Sequence, residues 1–355
     1  MASPGNLTIV ATGDVIPTRP LGREEDWTAN TQRAFAELRA ADIAFGSLET
    51  PLTDRGEPWD KIVLYRSSPS LIDDVARMGF DVVSLANNQT LNYGYPGLEQ
   101  TMQLLEAHEI AHVGAGPSAD AAWDARIVSK GGVRVAFVAF TCVAPLGWAA
   151  TADRGGLAAI RVRTAYEVDA KWVSEEPGVV PRVKTWVEEA ELAPVRRAVA
   201  RARTRSDLVI VGVHWGVGST AHRADYQEQL AKVLVEAGAT CVLGSHAPPV
   251  QGVDVLDRAF ISYSQGTFIR QQPRPAALKA VYDAMPRSGY LLRLAFESGG
   301  RARATLLPTL LDANDVSGMV GGAVGDGILD EVFRRSPTDS YSVIRRRAGA
   351  SLRFR

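Results

Sequence analysis

Five side chains that could bind a metal ion each stand just after an apolar, strand-like segment of the chain. They are the carboxylates of Asp14 and Glu49, the amide of Asn88, and the imidazoles of His214 and His246. Strands of an α/β sheet that end at one edge bring together residues that are far apart in sequence. Carboxylate, imidazole and amide ligands together are typical of sites for Mn, Fe or Zn. The pattern therefore predicts a divalent-metal site at one edge of a sheet.

Each of these residues also has a simpler explanation when it is taken alone. Gly-Asp is a common turn, a pair such as Asn87-Asn88 often caps a helix, and a single histidine at a strand end is usually a hydrogen-bonded polar residue. The two carboxylates together are stronger evidence for a metal site, because carboxylates at adjacent strand ends repel each other unless a cation lies between them. The combination of five ligands, rather than any one of them, indicates a metal site.

The elements that must position these residues alternate along the chain. Apolar strand patterns and amphipathic helix patterns follow one another over the first 140 residues and again from about residue 192 to 243. This alternation predicts helices on both faces of a sheet. Residues 143–189 interrupt the rhythm, and their length predicts an insertion or lid over the site. We predict one domain over residues 1–310 and a C-terminal extension over residues 311–355.

Charge and composition exclude several classes of protein. The chain has 355 residues, 46% of them hydrophobic, and a formal net charge of −1, so general attraction to nucleic acid or anionic membranes is not expected. The arginine-rich segment Arg334–Arg355 is either a solvated surface or a contact for an anionic substrate or partner.

The two cysteines, Cys142 and Cys241, are predicted to be buried thiols. Without a signal-peptide pattern or a long apolar run, we expect a soluble cytoplasmic protein with no membrane anchor.

Seven motifs in a fixed order resemble the CapA family of bacterial poly-γ-glutamate (capsule) synthesis proteins, which share the calcineurin-like metallophosphoesterase fold. The resemblance extends from about Leu7 to Phe268 and implies a four-layer α/β/β/α sandwich of mixed sheets. The motifs that carry it are Gly13-Asp14-Val15, Leu48-Glu49-Thr50-Pro51, Ser84-Leu85-Ala86-Asn87-Asn88, Ala111-His112-Val113-Gly114-Ala115-Gly116, His214-Trp215-Gly216, Gly244-Ser245-His246 and Tyr263-Ser264-Gln265-Gly266-Thr267-Phe268.

The resemblance also implies an arrangement for two metal ions. Glu49 would bridge the two seats, Asp14 would hold one ion, and Asn88, His214 and His246 would hold the other.

Three positions depart from the family's usual pattern. Gln89 stands where the family has a histidine that stabilises or protonates the leaving oxygen, and glutamine donates hydrogen bonds but transfers no proton. Pro248 stands where the family has a histidine ligand of the Asp14 ion, and Asn92 stands where it has aspartate. We therefore predict one tight metal site, with the second site weak or absent.

Further candidates complete the predicted site. His222 is a candidate acid or base, together with Gln89 and Asp14, and a surface histidine is the alternative. Arg19 and Arg23 follow the Asp14 loop and could bind a substrate carboxylate or phosphate. Trp215 and Tyr263 are predicted to form walls of the cleft.

Three functions remain open at this point. The first is a metal-dependent hydrolase or acyl-transfer enzyme that acts on the amide, ester or lactone carbonyl of a carboxylate-bearing substrate, either a small molecule or an anionic polymer. The second is a non-catalytic member of a polymer- or metabolite-synthesis assembly. The third is a residual phosphoesterase, which the loss of the second ion disfavours because both attacking and leaving oxygens need stabilisation.

Overall fold

The computed structural model describes residues 6–274, 276–297, 301–337, 341–346 and 349–354. In these ranges short 3₁₀ turns lie at Glu24–Asp26, Pro69–Leu71 and Ala276–Leu278. The α-helices of the same ranges are α1 (Ala29–Arg39), α2 (Ile72–Met78), α3 (Gly94–Ala107), α4 (Ala119–Trp123), α5 (Ala170–Glu175), α6 (Glu189–Arg205), α7 (Asp225–Glu236), α8 (Lys279–Ala284) and α9 (Gly322–Arg334).

The strands alternate with these helices in the first part of the chain and dominate the last part. They are β1 (Leu7–Ile16), β2 (Ile43–Leu48), β3 (Val82–Ser84), β4 (Ala111–Val113), β5 (Ala115–Gly116), β6 (Arg126–Lys130), β7 (Val133–Thr141), β8 (Gly156–Leu157), β9 (Val162–Glu167), β10 (Arg182–Val187), β11 (Leu208–Trp215), β12 (Cys241–His246), β13 (Val253–Leu256), β14 (Ala259–Ser262), β15 (Thr267–Arg270), β16 (Ser288–Glu297), β17 (Arg301–Leu311), β18 (Ser317–Met319), β19 (Tyr341–Arg346) and β20 (Gly349–Phe354).

The helices form where the sequence carries a cap and an apolar stripe. The hydroxyl of Thr28 accepts a hydrogen bond from the backbone N–H of Thr31 and so caps α1. Ala34, Phe35 and Leu38 then recur at helical spacing and are buried. Across the described residues, no helix combines the length and the apolar character that a membrane span needs.

Two large sheets form the framework. The larger sheet has the strand order β19-β20-β17-β16-β1-β2-β3-β4, with β15 beside β1 and β18 beside β17. The smaller sheet has the order β13-β14-β12-β11-β7-β6. β1 to β4 are parallel to one another, as are β7, β11, β12 and β14. Parallel neighbours end at the same edge, so each sheet offers one edge at which consecutive strand ends meet.

The sheets stack face to face between two layers of helices. Side chains of both sheets form a shared apolar core, in which Phe45 of β2 stacks on Phe137 of β7 with ring centroids 5.5 Å apart. A second core packs α1, α2 and α3 on the outer face of the larger sheet, and a third packs α6 and α7 on the outer face of the smaller one. The predicted four-layer α/β/β/α sandwich of mixed sheets is confirmed.

The predicted lid, residues 143–189, contains elements that its sequence did not reveal. β9 and β10 form a hairpin, and β10 packs beside α7, where the backbone N–H of Val187 donates to Gln229 Oε1 at 2.8 Å. β8 pairs with β5. No residue of this segment, all of which is described, lines the cavity at the metal-ligand candidates. The role of the segment as a lid stays a prediction.

The predicted C-terminal extension, residues 311–355, is built into the larger sheet. β18 and β20 both pair with β17, and β19 pairs with β20. Arg345 forms ion pairs with Asp330 and Asp326 of α9. Residues 338–340, 347–348 and 355 of this arginine-rich segment lie outside the described residues.

Candidate metal centre and cavity

Parallel strand ends of both sheets bring the five predicted ligands together. Asp14 lies in β1, Glu49 directly follows β2, and Asn88 follows β3, while His214 and His246 lie in the neighbouring strands β11 and β12. The site thus forms where the edges of the two sheets meet.

Close backbone contacts hold these strand ends in place. The backbone N–H of Glu49 donates to Val15 O at 3.0 Å, which continues the pairing of β2 with β1. The Asn87 amide donates to Leu48 O at 2.8 Å and ties the Asn88 loop to β2. A Cβ atom on Gly13 would lie 1.8 Å from Gly266 O, so only glycine permits this approach beside Asp14.

Four donor atoms surround a common point next to the His214 ring. His214 Nε2 lies 3.1 Å from His246 Nδ1, 3.2 Å from Asn88 Oδ1 and 3.9 Å from Glu49 Oε1. One ligand atom each from Glu49, His214 and His246 lies within 4.8 Å of the others. Ligand atoms about 2.1 Å from one ion lie roughly 3.0–4.2 Å apart, so the three distances to His214 Nε2 fit a first coordination shell.

The surroundings keep both imidazoles in the form that binds metal. Burial lowers the pKa of His214 well below its ordinary value, and the neighbouring His246 lowers it further. Burial also lowers the pKa of His246 to about 4. The other ring nitrogen of His214, Nδ1, lies 3.0 Å from Ser245 Oγ and is oriented by it. Both rings are therefore neutral at pH 7, with lone pairs available for an ion.

Asp14 occupies the opposite edge of the His214 ring. Its Oδ2 accepts a hydrogen bond from the His246 backbone N–H at 2.9 Å, and His246 adopts a left-handed φ of 95° there. Its Oδ1 is buried, has no hydrogen-bond partner within the described chain, and lies 3.7 Å from His214 Nδ1. Burial raises the pKa of Asp14 to about 7 and, with the charge of Asp14, raises that of Glu49 well above its ordinary range. Two buried carboxylates and an orphaned oxygen fit a site built for a cation.

Comparison with known proteins decides the family. Residues 8–272, about three quarters of the chain, match the family described as bacterial capsule synthesis protein PGA_cap. The chain belongs to this family. The expected resemblance to CapA proteins is thereby confirmed.

Named relatives of this PGA_cap protein are longer than the matched region. The capsule biosynthesis protein CapA of Bacillus anthracis is 28% identical over 277 residues, which cover 75% of this chain and 60% of CapA. A Mycobacterium tuberculosis protein assigned as a polyglutamine synthesis accessory protein is 30% identical over 237 residues, 64% of this chain and 56% of the relative. This chain therefore matches little more than half the length of either relative.

A solved structure from Staphylococcus aureus, assigned as a 5′-nucleotidase in complex with alpha-ketoglutarate, is also similar in shape. It aligns with a TM-score of 0.49 and 12% sequence identity and covers 93% of this chain and 58% of that chain. The likeness is too low to bear on activity.

At the two positions where the resemblance implied histidine and aspartate, this chain has two linked amides. Gln89 Oε1 accepts hydrogen bonds from Asn92 Nδ2 at 2.9 Å and from Lys61 Nζ at 3.2 Å. An aspartate at position 92 could not donate to Gln89, so the two departures fit each other. The Gln89 amide nitrogen has no partner among the described residues, and Gln89 lines the cavity. Gln89 can therefore donate a hydrogen bond to a bound molecule.

Lys61 is a residue of the site that the strand-end pattern did not reveal, because it lies in an irregular segment. Its ammonium group donates to the backbone oxygen of Asn88, to Gln89 Oε1 and, at 2.9 Å, to Asn92 Oδ1. All three acceptors are uncharged and belong to the loop that carries Asn88. Lys61 thus positions a ligand-bearing loop through its three N–H groups.

Replacing Lys61 by methionine should weaken divalent-metal binding by roughly tenfold, the scale on which outer-shell partners of metal ligands act. Calorimetric titration of the chelator-treated variant with Mn²⁺ measures the change in affinity. The matched control is Lys232→Met, since Lys232 is exposed on α7. Equal Mn²⁺ affinity in both variants would show that Lys61 does not hold the Asn88 loop.

A cavity of about 620 Å³ opens above the ligands. Asp14, Glu49, Asn88 and His246 lie at its floor, while His214 lies behind them and is 1% exposed. Sequence reasoning did not assign several residues of its walls. The lining residues outside the predicted site are Ile16, Lys61, Ile62, Val63, Tyr65, Gly218, Ser219, Pro248, Pro249, Thr267, Arg270, Gln272, Val281, Tyr282, Ala284, Met285 and Pro286.

The predicted roles of Trp215 and Tyr263 need correction. Both side chains are buried, at 0% and 1% exposure, and their rings stack with centroids 5.7 Å apart in the core beneath α6 and α7. Neither lines the cavity. Strand alternation turns a residue next to a ligand to the opposite face, so the neighbour of His214 points into the core.

The structure also places Arg19, Arg23 and His222 outside the cavity. The Arg19 side chain donates to Asn314 O at 2.7 Å, and the Arg23 side chain is 75% exposed and pairs with acidic residues of the following turn. His222 is exposed, and only Gly218 and Ser219 of its loop reach the cavity. The arginines are turned away because nearer carbonyl and carboxylate groups bind them.

Proposed function

We propose that this PGA_cap protein is a metal-dependent hydrolase or acyl-transfer enzyme that acts on the amide, ester or lactone carbonyl of a carboxylate-bearing substrate. The observation that carries the proposal is the donor set of Glu49, Asn88 and His246 at the floor of an open cavity, with His214 directly behind them. These residues would hold one divalent ion, Mn, Zn or Fe. The second seat retains Asp14 and the shared Glu49, and Pro248 supplies no ligand there.

The chemistry that a divalent ion supplies in such a seat is that of a Lewis acid, which polarises a carbonyl or lowers the pKa of water. Hydrolysis adds the oxygen of water to the carbonyl carbon, breaks the bond to the leaving nitrogen or oxygen, and places the remaining proton on that atom. Gln89 would orient the substrate through its free amide N–H. Tyr65 and Tyr282 line the same cavity, and burial, with a smaller effect of the Glu49 charge, raises the pKa of both, so both hydroxyls stay protonated as hydrogen-bond donors.

A carbonyl substrate fits this site better than a phosphodiester. Phosphoryl transfer at paired ions depends on a clamp that stabilises both the attacking and the leaving oxygen. Gln89 lacks a transferable proton and Pro248 lacks a ligand atom, so both parts of that clamp are weakened. Attack on a carbonyl requires only one oxygen to be polarised.

Metal analysis of protein purified without chelator tests the proposal. We expect about one equivalent of Mn, Zn or Fe, and hydrolysis of γ-glutamyl p-nitroanilide or p-nitrophenyl butyrate that exceeds hydrolysis of bis-p-nitrophenyl phosphate. Glu49→Gln should lower both the metal content and the turnover. If Mn, Fe, Zn and Co are absent and none of them rebinds, the proposal is wrong.

A second candidate is a non-catalytic role in a polymer- or metabolite-synthesis assembly. The name of the M. tuberculosis relative, which calls it an accessory protein, favours this candidate. It predicts that Glu49→Ala and His246→Ala leave the biological output of the producing strain intact. Loss of that output in folded variants would instead support catalysis.

A further inference from the structure

One wall of the cavity carries a buried guanidinium that the metal chemistry does not use. Arg270 ends β15, lines the cavity, and is 3% exposed. Its Nη1 donates to Pro286 O at 2.8 Å and to Met285 O at 3.4 Å. Its Nη2 and Nε have no hydrogen-bond partner among the described residues, so the N–H groups on these two nitrogens are available to a ligand.

Asp315, whose charge acts on Arg270, forms its ion pairs with other arginines. The Asp315 carboxylate forms ion pairs with Arg19, Arg274 and Arg287, with N···O distances of 3.6, 2.8 and 3.1 Å. Within the described chain no carboxylate lies within 4.0 Å of Arg270. Buried charges in proteins are normally paired, because burial of an isolated ion is strongly unfavourable. An unpaired guanidinium in a cavity wall therefore points to an anion that a ligand brings.

The strand register places Arg270 beside the metal centre. β15 runs parallel to β1, with Thr267 opposite Asp14 and Arg270 opposite Ile16. Arg270 is thus two strand positions beyond Asp14, about 7 Å along the sheet. All four residues line the cavity. One small molecule could contact Arg270 and the metal centre at the same time.

The walls between and around these two points are mainly apolar. Ile62, Val63, Val281 and Met285 line the cavity, and Ile62 and Val281 are 86% and 57% exposed. Exposed aliphatic side chains grouped at a cavity are typical of sites that bind the apolar part of a ligand. Lys61 is the other cation among the lining residues, and its three N–H groups are already engaged. Among the residues that line the cavity, a chain of many carboxylates would find one cation with unused N–H groups, Arg270, and two acidic ligands at the floor.

We propose that Arg270 binds the single carboxylate of a small substrate whose apolar body lies against Ile62, Val281 and Met285. The carbonyl of that substrate then reaches the floor at Glu49 and His246. This inference rests on the proposed function for the reaction and adds the class of substrate, an amphipathic monocarboxylate rather than a polyanionic polymer. Arg270 is a specificity-determining residue, since guanidinium and carboxylate form two parallel hydrogen bonds.

Binding of two matched probes tests the role of Arg270. The probes are 4-phenylbutyrate and its uncharged amide, titrated by calorimetry into the Mn²⁺-loaded protein and into chelator-treated protein. We expect the unmodified protein to bind the acid more tightly than the amide. Arg270→Gln should lower the affinity for the acid by roughly tenfold or more and leave the affinity for the amide unchanged. A γ-glutamyl trimer, which lacks an apolar body, should bind more weakly than 4-phenylbutyrate.

Two further variants keep the test decisive. Arg335→Gln is the matched control, because Arg335 also donates to a backbone carbonyl, Glu331 O at 3.0 Å, yet does not line the cavity. Arg270→Lys keeps the charge and should retain the fold with an intermediate loss of affinity. The inference is overturned if Arg270→Gln binds the acid as unmodified protein does, if neither probe binds, or if the trimer binds most tightly. A protein that takes up no metal would contradict the proposed function. If such a protein binds the acid and its Arg270→Gln variant does not, the role of Arg270 in carboxylate binding is still supported.

Discussion

Replacement of His214 by alanine is expected to weaken divalent-metal binding by about 100-fold or more. His214 Nε2 is the donor atom that lies close to each of the others, at 3.1 Å from His246 Nδ1 and 3.2 Å from Asn88 Oδ1. Loss of outer-shell partners alone costs roughly 10- to 100-fold in affinity, so loss of a central ligand should cost at least as much. Equilibrium dialysis of chelator-treated protein against Mn²⁺ and Zn²⁺ measures the change, and metal-dependent turnover should fall with it.

His222→Ala is the matched control for this experiment. His222 lies eight residues later, is exposed, and is not among the residues that line the cavity. Its removal should leave metal affinity and turnover unchanged. An equal loss of metal in both variants would mean that the cluster of His214 and His246 is not by itself the site of the ion.

Replacement of Trp215 by alanine is expected to destabilise the protein by about 3–5 kcal/mol, the usual range for a large aromatic residue in a core. Trp215 is fully buried, stacks on Tyr263, and donates from Nε1 to Tyr263 O at 2.8 Å. The substitution would leave a cavity and an unsatisfied carbonyl. Equilibrium unfolding in urea measures the change in free energy.

Trp172→Ala is the corresponding control, because Trp172 of α5 is 56% exposed. Its removal should change the free energy of unfolding by about 0.5 kcal/mol or less. If Trp215→Ala kept full stability but lost the binding of 4-phenylbutyrate, then Trp215 would be a cavity wall, as the sequence first suggested.

Local sequence patterns predicted the elements that hold the site because they are strongly periodic. The apolar run before Asp14 became the buried part of β1, and the alternation of strand and helix patterns over the first 140 residues became β1 to β4 with α1, α2 and α3 between them. The pattern failed over residues 143–189, where β9 and β10 carry mixed exposed and half-buried side chains. A strand pair that buries little of either face leaves a weak alternation for sequence reasoning to detect.

The sequence also predicted the residue types of the metal centre, but it did not predict how their side chains are arranged. Strand-end position indicated Asp14, Glu49 and His214 as ligands because consecutive parallel strands end at one edge. The same reasoning could not show that Asp14 contacts one edge of the His214 ring while Glu49 and His246 lie at the other. Ring orientation depends on partners from a different strand, such as Ser245.

The sequence by itself therefore determined the family, the layered α/β architecture and the set of ligand types, since these follow from local periodicity and motif order. Only the tertiary structure decided which charged side chains reach the cavity. Arg19 lies closer to Asp14 in the chain than Arg270 does, yet it bonds to Asn314 and faces away. Arg270 reaches the cavity because β15 joins β1 in parallel across about 250 residues of chain. Such pairing is a property of packing between distant segments, which no local pattern records.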